Sequence, residues 1–224
     1  MNNNLTEIAF ILDRSGSMQS MVEPAISGFN RLLREQQQES GSARFTLVLF
    51  DDHYEVPFHS VPIAEVVELD TTTFVPRGST ALLDAIGRTI DELGAKLAAT
   101  PEANRPGQVI IAILTDGEEN ASHRFTWQDI SARIQHQTKH YDWKFLFLGA
   151  NQDAIATAGR MNIQAADSSN FTMGAKSYGA GQEALNRKMK ALRRMKQGLA
   201  DANTIRDAQA PMNSLREEEE GKDD

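Results

Sequence analysis

The sequence predicts an α/β fold, a doubly wound and mainly parallel sheet with helices on both faces, extended by a C-terminal helical segment. Two short stretches, residues 8–12 and 109–114, are apolar at every position, the pattern of parallel strands covered on both sides. The first ends directly at Asp13, and the second reaches Asp116 after Thr115. Around them, segments with apolar residues at helical spacing alternate with further strand-like runs, the order expected of βαβ units.

The first strand, at residues 8–12, is followed at once by Asp13, Ser15 and Ser17. Their oxygens cluster past a carboxyl end, where ligand sites in open α/β sheets gather, and Gly16 permits the tight turn between the serines. Residues 21–38 carry Val22, Ile26, Phe29, Leu32 and Leu33 at helical spacing, closed by Ser40, Gly41 and Ser42. A strand over 45–50 turns at Asp51-Asp52-His53. Residues 54–61 fit a short edge strand, because Pro57 and Pro62 would interrupt a central one. A short helix and a loop fill 63–73. Residues 76–80 (PRGST) then lead into a helix over 81–99, and a polar loop at 101–107 precedes the strand at 109–114. A helix over 127–139, a buried strand over 143–148 and a short helix over 154–161 follow, and Ile163 opens a last strand.

These elements place a folded domain over residues 1–168. The Ser, Gly and Ala content of 169–182 reads as a linker or loop. Residues 183–200 form a basic amphipathic helix with Leu185, Met189, Leu192, Met195 and Leu199 on one face and Arg187, Lys188, Lys190, Arg193, Arg194 and Lys196 along it. The acidic end, 201–224, is expected to be disordered. The apolar face of the basic helix needs a cover, and the acidic excess of the preceding domain favours docking there over service to a second partner.

The 224 residues suffice for one domain with a sizeable core. A formal charge of −8 disfavours general nucleic-acid binding. There is no cysteine, so thiol chemistry is excluded. The first residues lack the basic and apolar regions of a signal peptide, and no segment is long and apolar enough to span a bilayer, so the expected setting is cytoplasmic.

Five oxygen-bearing residues share the loops after these elements: Asp13, Ser15 and Ser17 in the first, Thr80 in the second, Asp116 in the third. If the strands before Asp13 and Asp116 are neighbours, these oxygens converge at one sheet edge. Hydroxyls and carboxylates suit a hard cation, Mg²⁺ or Mn²⁺, rather than zinc. Neutral hydroxyl ligands leave the ion electrophilic, so a carboxylate from outside can take a remaining position.

The order Asp-x-Ser-x-Ser at 13–17, a threonine at Thr80 after a glycine-containing turn, and an aspartate at Asp116 in Leu-Thr-Asp-Gly resembles the von Willebrand factor A domain with its metal-ion-dependent adhesion site. The likeness covers roughly residues 5–167 and fills all five motif positions. It implies a metal held by Asp13, Ser15, Ser17, Thr80 and Asp116, with serines and threonine in direct contact and aspartates often acting through water. It further implies a protein partner that supplies a Glu or Asp ligand. Similar intracellular bacterial proteins act as non-enzymatic scaffolds or adaptors, with an ATPase, kinase or phosphatase among the partners. The rival reading is a metal-dependent hydrolase of phosphate esters, which needs a base or nucleophile beside the metal. The nearest acids are already assigned as ligands, and Asp51, Asp52, Glu118 and Glu119 read as solvated loop charges. His136 and His140, four apart on a helix, lack the glutamate of a His-Glu-x-x-His zinc motif and read as exposed polar side chains.

Overall fold

The structure is a computed structural model that describes residues 1–150 and 153–223. Six strands, β1 (Asn2–Asp13), β2 (Ser42–Phe50), β3 (Tyr54–Pro62), β4 (Pro106–Thr115), β5 (Lys144–Ala150) and β6 (Ser168–Phe171), form one sheet in the order β3-β2-β1-β4-β5-β6. All neighbours run parallel except β3, which pairs antiparallel with β2 at the edge. Pro57 and Pro62 sit in this edge strand, where a missing N–H costs least. The chain leaves β1 toward β2 on one side and reaches β4 on the other. The switch point of the sheet therefore lies between the carboxyl ends of β1 and β4.

The described residues form seven α-helices, α1 (Val22–Gln38), α2 (Leu82–Ala99), α3 (Trp127–Tyr141), α4 (Ala154–Arg160), α5 (Ala175–Gln197), α6 (Ala202–Gln209) and α7 (Met212–Glu220), of which α6 packs on α5. Alternation along β1 divides the core. Ile8, Phe10 and Leu12 join side chains of α1 and α5 in one apolar cluster, while Ala9 and Ile11 join those of α2, α3 and α4 in the other. Phe10, Phe29 and Phe45 interlock on the first face with ring centroids 5.6 to 6.5 Å apart. On the second face, α3 starts at a capping box, in which Thr126 Oγ1 accepts from the Asp129 N–H and the Asp129 carboxylate accepts from the Thr126 N–H.

The C-terminal quarter departs from the sequence reading. Residues 169–182 are not a linker: they complete β6 and supply the first two turns of α5, which begins at Ala175 and not at 183. The last strand starts at Ser168, not at Ile163. Residues 201–224 are not a disordered tail over their described part, because α6 and α7 occupy most of it. The physical reason is pairing that local composition does not reveal. Arg187 bonds Asp207 of α6 at 2.8 Å and Glu219 of α7 at 2.6 Å, and Met212 and Leu215 are fully buried.

The basic residues of α5 are all engaged within the chain. Lys188 donates to the Ala210 carbonyl at 2.7 Å. Lys190 reaches Glu35, Arg194 forms a two-pronged pair with Glu39, and Lys196 lies 3.8 Å from Asp142. Arg193, 1% exposed, donates to both the backbone and side-chain oxygens of Gln36. The helix is docked on α1 and the sheet, which is the cover its apolar face requires.

Candidate metal centre

Asp13 ends β1, and Thr115 ends the neighbouring β4 with Asp116 just beyond it. Because Leu12 pairs with Leu114, the next residues, Asp13 and Thr115, stand side by side. Thr115 Oγ1 donates to Asp13 Oδ2 at 2.5 Å, and the Ser15 N–H donates to Asp13 Oδ1 at 2.7 Å. Ser15 and Ser17 hydroxyls are 3.0 Å apart, and Ser17 Oγ donates to Asp116 Oδ1 at 2.7 Å. Thr80 arrives from the loop before α2. A Cβ placed on Gly117 would lie 2.8 Å from Thr80 Oγ1 and 3.4 Å from Ser17 Oγ, so only glycine leaves room for these hydroxyls to converge beside Asp116. All five sequence-predicted residues are thus brought to one end of the sheet, at its switch point.

The electrostatics are set by burial of the two acids. Asp13 is fully buried, and Asp116 is 9% exposed. Burial is the main cause that pushes the Asp13 carboxyl up from 3.8 to about 6, with hydrogen bonds from Thr115 and Ser15 opposing it and the Asp116 charge adding to it. Burial also raises Asp116, against the Ser17 hydrogen bond. Asp116 Oδ2 is buried without a hydrogen-bond partner. Among the described residues, no lysine or arginine forms an ion pair with either acid. The nearest in sequence, Arg14, turns away: its Nε lies 3.1 Å from Asp51 and its Nη2 2.7 Å from Glu55. Two buried carboxylates, one with an orphaned oxygen, and three hydroxyls fit a hard divalent cation. Ser17 is exposed, which leaves the cluster open to solvent on that side.

Sequence reasoning missed the scaffold of this site. Asp51 is not a solvated loop charge: it is fully buried and pairs with Arg14 and, at 2.8 Å, with Arg77. Arg77 also pairs with Glu55 at 2.5 Å, and its N–H donates to the Arg14 carbonyl at 2.9 Å. This cluster ties the loops after β1, after β2 and before α2 to one another. Asp51, Asp52 and His53 bring ligand atoms within 4.8 Å of one another, but Asp51 already faces two guanidinium groups. Thr115 was also missed; its signal was a hydroxyl between an apolar strand and the second acid. His136 and His140 are exposed, with ring centroids 4.8 Å apart and the rings tilted at 42° to each other, and among the described residues no third metal-ligating group joins them.

Solved structures with this arrangement of strands and helices exist. Proximal thread matrix protein 1 from the mussel byssus matches with a TM-score of 0.56 at 15% identity, over 84% of this chain and 46% of its own. The ArnB paralog VWA2 from Sulfolobus acidocaldarius matches with a TM-score of 0.52 at 17% identity, over 83% of this chain and 45% of its own. The fold is that of a von Willebrand factor A domain. At such identities the likeness is one of VWA fold, and this chain spans less than half the length of those it matches. The mussel protein has also been solved with a zinc-occupied metal-ion-dependent adhesion site, at 16% identity to this chain. No protein-family model matches the sequence, and no curated protein matches it either. Among the described residues, no helix of this VWA fold is long and apolar enough to cross a membrane.

Proposed function

We propose that this chain is a divalent-metal-dependent protein-interaction module, holding Mg²⁺ or Mn²⁺ through Asp13, Ser15, Ser17, Thr80 and Asp116 and binding an acidic side chain of a protein partner. The observation that carries the reading is the pair of buried carboxylates, Asp13 and Asp116, joined by hydroxyls and compensated by no cation among the described residues. The metal, when bound, supplies a positive centre that accepts a carboxylate oxygen. Asp13 and Asp116 provide the negative charge that retains it, and the exposed Ser17 side is the direction from which a partner approaches. The role is that of an adaptor in the cytoplasm, with an ATPase, kinase or phosphatase as the class of partner. The proposed role is non-enzymatic, a reading supported by Asp51, which is engaged by arginines, and Glu119, which is engaged by backbone N–H groups, rather than either being free as a base.

The expected outcome of an affinity capture is a partner retained with Mg²⁺, released by chelator, and lost with Thr80→Ala. Circular dichroism of that variant should match the wild type, since Thr80 lies in a loop before α2 and outside both apolar clusters. Capture that ignores both chelator and the substitution contradicts the reading.

A further inference from the structure

We infer that Asn120 and Glu119 are positioning residues that hold Thr80 against Asp116, setting metal affinity without contacting the metal; this rests on the metal reading above. Asn120 lies four residues beyond Asp116, and its Oδ1 accepts from the Thr80 N–H at 2.9 Å. The Asn120 and Ala121 N–H groups both donate to the Thr80 carbonyl, at 3.0 and 3.2 Å. Both backbone polar groups of Thr80 are therefore held by the loop that carries Asp116. That fixes the main chain of the threonine, and with it the point from which its hydroxyl reaches the space beside Gly117 and Ser17.

Glu119 secures the same loop to the helix behind Thr80. Its Oε2 accepts from the Leu83 N–H at 2.9 Å and from Ser122 Oγ at 2.7 Å, while Oε1 accepts from the Ala121 and Ser122 N–H groups at 3.0 and 2.8 Å. Ala81, at the N-cap of α2, offers no side-chain cap, so Glu119 serves a first-turn N–H that local sequence leaves unmet. Ser122 does the same for the Asp84 N–H at 3.0 Å. Glu119 is thus neither a solvated charge nor a ligand. Groups that orient the ligands of a metal site typically change its affinity about 10- to 100-fold when removed.

What matters at position 120 is a hydrogen-bond acceptor, which separates positioning from bulk stability. Mn²⁺ is titrated into the full chain by calorimetry, and the melting temperature of each metal-free protein is recorded. Asn120→Leu should weaken Mn²⁺ binding by about tenfold or more, whereas Asn120→Asp, which keeps the acceptor, should bind close to wild type. Thr126→Ala, which removes the α3 cap at the far end of the same loop, should lower the melting temperature and leave affinity unchanged. Should Asn120→Leu not fold, Glu119→Gln replaces the oxygen facing Leu83 or that facing Ala121 by a donor and should weaken binding likewise. Wild-type affinity in Asn120→Leu or, in its place, in Glu119→Gln overturns the inference alone, as does an Asn120→Asp as weak as Asn120→Leu. A wild-type chain that takes up no Mn²⁺ overturns the metal reading, and the inference with it.

Discussion

A chain ending at Gln182 should fail to form a stable domain. On sequence grounds this truncation removes a basic helix and an acidic tail from a complete sheet, and the remainder is expected to fold. The structure reverses that expectation, because α5 belongs to the cover of one sheet face. The deletion removes Leu185, Met189, Met212 and Leu215, each fully buried. At about 1.5–3 kcal/mol per large apolar side chain, these four account for roughly 6–12 kcal/mol. That is comparable to the whole stability of a domain, about 5–15 kcal/mol. The loss is compounded at Gln36, which would be left without Asn186 and Arg193. Near-UV circular dichroism and urea unfolding check the result. A cooperative transition at the wild-type midpoint would show that α5 is a dispensable extension.

The second large effect is a pH dependence centred on Asp13. Its carboxyl titrates near 6 in the folded, metal-free chain, against an ordinary value of 3.8. Between these values the folded state binds the extra proton, so stability falls as pH rises through the window and is lowest above 6. The cost approaches about 3 kcal/mol once Asp13 is ionised in both states. Asp13→Asn carries no such charge, so its stability relative to wild type should rise between pH 4 and pH 7 by up to that amount. Excess Mn²⁺ should offset most of that gain at pH 7, stabilising the wild type by about 2.7 kcal/mol at a hundredfold over its Kd and leaving Asp13→Asn unmoved. Urea unfolding at each pH, with chelator and with Mn²⁺, measures both differences. Parallel pH profiles in chelator would show that Asp13 is not held in a charge-poor environment.

The parts of the fold legible in the sequence are those whose signal is local. The central strands β1 and β4 announce themselves as unbroken apolar runs, and the proline-bearing β3 as an edge. The five candidate ligand residues could be singled out for a related reason, since each sits directly after a strand or before a helix in a short fixed motif. What stayed hidden depends on distant partners. β6 is Ser168-Ser169-Asn170-Phe171, polar by composition, and is a strand because it pairs with β5, Ser168 opposite Phe147. The small residues that read as a linker are there for close approach: a Cβ on Gly181 would come within 2.9 Å of Leu148 on the sheet. The acidic run at 217–220 reads as disorder until Arg187 and Arg216 are placed beside it. Likewise, nothing adjacent to Asn120 in sequence indicates that its acceptor is spent on Thr80, forty residues earlier.

The central claim is that Asp13, Ser15, Ser17, Thr80 and Asp116 together make one divalent-metal site. Calorimetric titration of Mn²⁺ into the full chain at pH 7, beside Asp13→Asn and Asp116→Ala, tests it most directly. The account predicts a single saturable site in the wild type, competed by Mg²⁺ and absent from both variants. Binding of equal stoichiometry and affinity in all three proteins would contradict it and move the metal away from the carboxyl ends of β1 and β4.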